Sequence, residues 1–295
     1  MAHTAARHSR RMKKRHWAVA ALFVVLALGL YLWPARRNYY GKLVDLDVRL
    51  DIPYVPGGKN PKQALDLYLP RDRRARVPLV VFVHGGYWNP LDRRGLEPLL
   101  GTHGNVGAAL AQRGLAAAII GYRQYPEVRR GDDSLDDIAR AIRYVHDAAP
   151  SWGADPARLV VVGHSAGGQL VSLLGTDPRI LRKSGLEDGA VAGFASVDGI
   201  FDLKASLSHL KPDQAAVVRE LFGPDDAALA EHSTQVQGSH PPLLFVDSTG
   251  DAAICREAFA RMRARLAADA KARFVELPGL EHNEMIVRMG MADPQ

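Results

Sequence analysis

A serine between glycines closes an apolar run in "RLVVVGHSAGGQLVSLLG", residues 158 to 175, as Gly163-His164-Ser165-Ala166-Gly167. Glycines on both flanks permit a backbone too tight for side chains, and a serine on such a turn between strand and helix has its hydroxyl pushed out over the sheet edge. A serine hydroxyl is a weak nucleophile unless a base removes its proton, an acid orients that base and N–H groups receive the charge that develops on an attacked carbonyl oxygen. The chain carries candidates for each part. "VFVHGGYW" (81–88) follows an earlier apolar run, and its glycines let the amides around Gly86 and Tyr87 join the Ala166 amide as an oxyanion hole. "VELPGLEHNEMI" puts His282 in a loop after the last apolar run, where an imidazole can swing over the sheet. "LLFVDSTGDAAI" supplies two acids. Asp251, beyond the Thr-Gly pair, lies further into its loop and is the expected partner of His282, with Asp247 at the strand end as second choice. His84 is expected to prop its loop, Tyr87 and Trp88 to be core or pocket wall, and Trp88 and His164 to contact a bound substrate.

These residues work together only if the chain folds so that several strand ends meet. Beyond Asn38, strand-like runs alternate with helical patterns: "PLVVFVH", "NVGAALAQRG", "LAAAIIGY", "SLDDIARAIRYVHDAA", "RLVVVG", "AGGQLVSLLG", "VAGFASV", "PPLLFVDS", "ICREAFARMRARLAAD", "ARFVELP" and a last helix from Glu281. Alternation of this kind predicts crossover units and a mainly parallel, doubly wound sheet with helices on both faces. "VRLDI" and "ALDLYL" have no helix between them and should open the sheet as an antiparallel hairpin. In such a sheet ligands bind beyond the carboxyl ends of the strands, and Ser165, the Gly86 region, Asp251 and His282 all follow strands. Residues 200 to 240 read as two short helices around "FGPDD", a longer connection than usual and a candidate cap.

"HGGYW", "IIGYRQYPE", "DDIARAIRYV", "GHSAGG" and "DGIFDL" resemble the α/β-hydrolase superfamily over roughly residues 45 to 290. More narrowly, they are similar to the carboxylesterase group that includes hormone-sensitive-lipase-like esterases, arylformamidases and prenylcysteine methylesterases. The chain order Ser165, Asp251, His282 is the order of that fold. The resemblance implies that Ser165 attacks a carbonyl, that His282 takes its proton and passes it to the leaving group, and that Asp251 holds the imidazole. Where lipase-like members often show HGGG, this chain has Gly85-Gly86-Tyr87, so the second oxyanion donor departs from that pattern. "HGGYW" resembles the arylformamidases, and "GIFDLKASLSHL" followed by "LFG" resembles the prenylcysteine methylesterases.

The 295 residues, 47% of them hydrophobic, suffice for one large domain with a full core. The formal charge is +6, but residues 1 to 37 hold eight Lys or Arg and no acid, so removing them leaves −2 for the remainder. The basic excess thus belongs to a tail and not to a folded surface that could grip phosphates, which argues against nucleic-acid binding. "WAVAALFVVLALGLYLW" (17–33) carries no charge and reaches the roughly 17 residues that cross a bilayer. Trp33 and Leu32 stand where a cleaved signal peptide would have small residues, so an uncleaved anchor is expected. The six Lys or Arg before the span against Arg36, Arg37 and Lys42 after it predict a cytoplasmic N-terminus and a catalytic body on the periplasmic or lumenal side. Residues 1–37 are thus read as tail and anchor, and 38–295 as the catalytic domain.

Cys255 is the single cysteine, so an intrachain disulfide is excluded, and it reads as a buried small hydrophobe, with a reactive thiol close to the site as the alternative. No metal or organic cofactor is implied: His3, His8 and His16 lack acidic or cysteine company. The expected function is a membrane-anchored serine hydrolase of small to medium carboxylic esters. The same triad would also suit an amidase or peptidase, and the fold could serve a binding protein without catalysis.

Overall fold

The computed structural model describes residues 39, 42–72, 75–89, 91–94, 102–236 and 239–291. An eight-stranded sheet runs through the molecule in the order β1-β2-β4-β3-β5-β6-β7-β8. β1 (Leu46–Pro53) and β2 (Ala64–Pro70) form the expected antiparallel hairpin. β2 meets β4 (Ala116–Ile120) antiparallel, and from there β3 (Val77–Val83), β5 (Ala154–His164), β6 (Gly193–Val197), β7 (Leu243–Ser248) and β8 (Ala272–Leu277) are all parallel. This is the α/β-hydrolase arrangement implied by the sequence motifs.

The parallel strands are continuous apolar runs because both of their faces are covered. β4, "AAAII", is buried throughout, as is β6, whereas the edge strand β8 alternates toward solvent and leaves Val275 exposed. α1 (Thr102–Gln112) covers one face over Tyr68, Phe82 and Ile119. α2 (Gly131–Ala148) and α3 (Ala166–Thr176) cover the other. In α2 the buried residues Leu135, Ile138, Ala139, Ala141, Ile142 and Val145 recur at helical spacing, and Asp132 and Asp133 complement the helix dipole in its first turn. Each fully buried Leu, Ile or Phe of this core contributes about 1.5–3 kcal/mol. α4 (Pro178–Lys183) lies between α3 and β6, and its six residues are too few for the helical period to stand out in sequence.

The long connection after β6 folds as α5 (Leu203–Ser206), α6 (Pro212–Phe222) and α7 (Asp226–Glu231), with "FGPDD" joining the last two. It docks on the body through polar and aromatic ties. Gln169 Nε2 donates to the His232 carbonyl (2.9 Å), Ser172 Oγ meets Thr234 Oγ1 (2.5 Å), and Phe222 sits edge-on to Trp88. α8 (Ala253–Arg265) and α9 (His282–Met291) complete the fold. Among the described residues no helix is long and apolar enough to cross a membrane. The expected span 17–33 lies outside the described residues.

Candidate active site

β5 ends at His164 and α3 begins at Ala166, so Ser165 must turn the chain within one residue. It does so at φ 57°, ψ −123°, a conformation that costs a non-glycine residue about 1–3 kcal/mol and persists only where its surroundings impose it. Two backbone bonds impose it: the Ser165 amide donates to Val197 O (2.9 Å), and its carbonyl accepts from Gln169 N (3.1 Å). The hydroxyl is thereby held at the positive end of α3, whose first amide, that of Ala166, has no helical carbonyl a turn behind it.

His282 Nε2 lies 2.9 Å from Ser165 Oγ. On its far side Nδ1 is 3.0 and 3.1 Å from the two oxygens of Asp251. A carboxylate only accepts, so Nδ1 carries the proton and Nε2 is left bare toward the serine. Asp251, whose side chain is fully buried, is fixed by the Ala252 amide at 2.5 Å. The loops after β7 and β8 are stitched to each other, Thr249 N to Leu277 O (3.0 Å) and Gly250 N to Leu280 O (2.9 Å), which ties the segment carrying the acid to the segment carrying the base.

The glycine loop after β3 approaches the serine from the other side. A methyl on Gly85 would lie 2.8 Å from Ser165 Cβ and 2.8 Å from His164 O, so only glycine fits. Gly86 (φ 121°), Tyr87 (51°) and Trp88 (57°) then follow in succession with left-handed backbone. Two strained non-glycine residues in a row beside the hydroxyl mark a segment shaped by its task. His84 packs beneath this loop, as expected, with Nδ1 2.9 Å from Gly85 O.

A cavity of about 260 Å³ opens over Ser165, lined by Gly85, Gly86, Tyr87, Leu91, Thr102, His103, His164, His282, Asn283 and Ile286. Tyr87 stands half-exposed at it. Trp88, an expected substrate contact, is instead a core residue: it is 2% exposed, lies outside the cavity lining, donates from Nε1 to Gln169 Oε1 (3.1 Å) and packs on Phe222. His164 does line the cavity, but its Nε2 donates to the carbonyl of His282 (3.1 Å) and its ring lies 4.8 Å from that imidazole. It therefore braces His282 from behind.

Asp247, the alternative acid, ends elsewhere. It is buried within β7, and its Oδ1 has no hydrogen-bond partner among the described residues. A third buried acid, Asp198 after β6, accepts from Ser248 N (2.8 Å) and Ser248 Oγ (3.0 Å). Oxygens of Asp198, Asp247 and Asp251 all lie within 4.8 Å of one another. Burial, then the charge of Asp251, raises Asp198 to about 6, and burial, then the charges of Asp198 and Asp251, raises Asp247 to about 7. Burial works against the imidazolium of His282, but the hydrogen bond and charge of Asp251, with help from Asp198 and Asp247, outweigh it and hold its pKa above the ordinary value. Asp198 escaped the reading of the sequence although "VDGIFDL" places it at a strand end, the position that had singled out the other acids. Cys255 is buried, its Sγ is 3.9 Å from His282 Nδ1, and burial pushes the thiol pKa up, so it stays protonated.

The arrangement holds a serine hydroxyl hydrogen-bonded to an imidazole, a carboxylate on the far side of that imidazole and the start of a helix around one small cavity, which is the equipment for acyl transfer. Among known proteins, the BD-FAE family model matches residues 65–266 of this chain. A probable isoprenylcysteine alpha-carbonyl methylesterase of Oryza sativa subsp. japonica is 29% identical over 197 residues, 67% of this chain and 44% of that protein. A kynurenine formamidase of Danio rerio is 31% identical over 160 residues, 54% of this chain and 48% of that protein. The chain thus spans about half the length of these curated relatives. Among solved structures, esterase B from Lactobacillus rhamnosis, inhibited by a tributyrin phosphonate, superposes with a TM-score of 0.70 at 23% identity, covering 93% of this chain and 90% of that one.

Proposed function

The chain belongs to the BD-FAE family, within the carboxylesterase group of α/β hydrolases, and from that premise we propose that it is a serine hydrolase of carboxylic esters working through an acyl-enzyme. One observation carries the reading: a single imidazole, His282, bridges Ser165 Oγ at 2.9 Å and Asp251 at 3.0 Å. As Oγ attacks the ester carbonyl, its proton passes to His282 Nε2, and the imidazolium so formed is stabilised by Asp251. The amides of Gly86, Tyr87 and Ala166 receive the charge on the former carbonyl oxygen. Collapse of the tetrahedral species returns the proton from Nε2 to the departing alkoxide. A water, deprotonated by the same nitrogen, then releases the acid and restores Ser165.

The name of the rice relative, a methylesterase, supports an ester as substrate, and a cavity of about 260 Å³ suits a small one. Residues 17–33, uncharged and flanked by more basic residues before than after, support an anchor with the catalytic body outside the cytoplasm. The test of the enzymatic reading is turnover of a short-chain p-nitrophenyl ester by the wild type and by Ser165→Ala. The variant should lose on the order of 10³- to 10⁶-fold in kcat. Retention of a tenth of wild-type kcat would remove Ser165 from the scheme.

A further inference from the structure

The scheme leaves one buried polar side chain of the cavity without a task. His103, in the first turn of α1, lines the cavity together with Leu91 and the Gly85–Gly86 backbone, and it is 5% exposed. Its Nδ1 lies 3.0 Å from the carbonyl oxygen of Arg93. A carbonyl oxygen can only accept, so the proton of the ring sits on Nδ1. The other nitrogen is then a bare lone pair. No hydrogen bond from the described residues reaches Nε2. The ring cannot turn freely, because it stacks on His84 at 5.4 Å and lies against Phe82 at 6.0 Å. Burial lowers its pKa to about 4, so it stays neutral under the conditions in which His282 is a base. The proposed scheme uses N–H donors, the Gly86 and Tyr87 amides, for the developing oxyanion, and a fixed acceptor serves no step of it.

We propose that His103 is a specificity-determining residue that accepts a hydrogen bond from a hydroxyl or N–H group on the substrate, so that the preferred esters carry such a donor close to the scissile carbonyl. This rests on the ester-hydrolase reading and narrows it. A site built around a buried acceptor discriminates against a ligand lacking the donor, because that acceptor loses its water and gains nothing in return.

Two matched pairs test it: p-nitrophenyl 3-hydroxybutyrate against p-nitrophenyl butyrate for the acyl side, and 2-hydroxyethyl butyrate against propyl butyrate for the leaving-group side. In the wild type the hydroxylated member of at least one pair should have the higher kcat/KM by about fivefold, the factor given by a net hydrogen bond of about 1 kcal/mol. His103→Leu should bring that ratio close to one, and His103→Gln, which keeps an acceptor, should recover part of it. Because a variant at a buried position can fail to fold, a second readout uses the wild type: the ¹⁵N resonance of His103 Nε2 should move in the adduct with a hydroxylated alkyl phosphonate more than in the adduct with its plain counterpart. Turnover without preference in either pair, or a ratio that His103→Leu leaves in place, overturns the proposal while leaving the esterase reading intact. Absence of turnover on all four esters overturns both.

Discussion

Carboxylate oxygens of Asp198 and Asp251 lie within 4.8 Å of each other, both buried, on the side of the sheet edge where His282 takes its partner. Of these two acids, Asp251 bonds the imidazole, whereas Asp198 spends its oxygens on Ser248 and acts on the base through space. The base is thus surrounded by more negative charge than a single orienting acid supplies, and its protonated form is favoured accordingly.

The first consequence is a pH profile. Only neutral imidazole accepts the serine proton, and the His282 pKa is raised above its ordinary value near 6.5 by Asp251, assisted by Asp198 and Asp247, against the effect of burial. kcat/KM on a neutral short-chain ester should therefore climb with pH and reach half its plateau above pH 6.5. Asp198→Asn removes one of the charges that favour the imidazolium and should move the half-point down. A profile that is flat between about pH 5 and 9, a range that spans the histidine reference value, would show that no histidine base operates.

The two loop acids should separate cleanly. Asp251→Asn leaves the imidazole without its carboxylate and should cost on the order of 10³ to 10⁴ in kcat. Asp247→Asn should change kcat by less than tenfold, because no contact joins Asp247 to the imidazole; a reversal of the two losses would transfer the orienting role. Asp247 offers a stability test as well. Its folded pKa is raised to about 7, above that of an unfolded aspartate, so the native state binds the extra proton and loses stability as pH rises through about 4 to 7. Asp247→Asn should raise Tm at pH 8 relative to wild type, by roughly 2–4 °C per kcal/mol relieved, and by less at pH 5. Equal effects at both pH values would mean that the charge of Asp247 is not the cause.

Much of this was legible in the residues alone, for physical reasons. Parallel strands buried on both faces read as unbroken apolar runs, and the alternation of "PLVVFVH", "LAAAIIGY" and "RLVVVG" with amphipathic segments yields the sheet and the strand ends on which Ser165, Gly86, Asp251 and His282 fall. Trp88 was harder, because an aromatic beside an oxyanion loop is equally at home in a pocket wall or a core. Its burial depends on Phe222 and Gln169, which come from segments more than eighty residues away in sequence and meet it only through the cap and α3. His103 is one of three polar residues in the opening "THGN" of its helix, and its meaning arises from the Arg93 carbonyl that fixes its tautomer.

The close packing of the glycine loop against the serine yields a third prediction. Gly85→Ala would push a methyl to within 2.8 Å of both Ser165 Cβ and His164 O. The loop must retreat, carrying the Gly86 and Tyr87 amides away from the oxyanion. We expect kcat to fall by about 10²- to 10³-fold, the cost of one lost oxyanion donor, with KM changing little. Turnover within threefold of wild type would place the oxyanion donors elsewhere.

The basic tail and the uncharged stretch at residues 17–33 yield a fourth. A reporter that is active only after export, fused beyond Gln295, should be active, and the mature protein should keep its N-terminus. Deletion of residues 1 to 37 should leave catalysis in place, since none of the proposed site residues lies there. A cytoplasmically active reporter, or a mature chain beginning near Asn38, would contradict the anchor.

The most direct measurement is the site of covalent capture. Incubated with a fluorophosphonate, the full-length protein should gain the mass of one phosphonyl group, and peptide mapping should find it on Ser165. Ser165→Ala should remain unlabelled, and His282→Ala should be labelled far more slowly, because its serine keeps its proton. Labelling at another residue, or an equal rate of labelling in His282→Ala, would contradict the account that His282 activates Ser165 as the nucleophile.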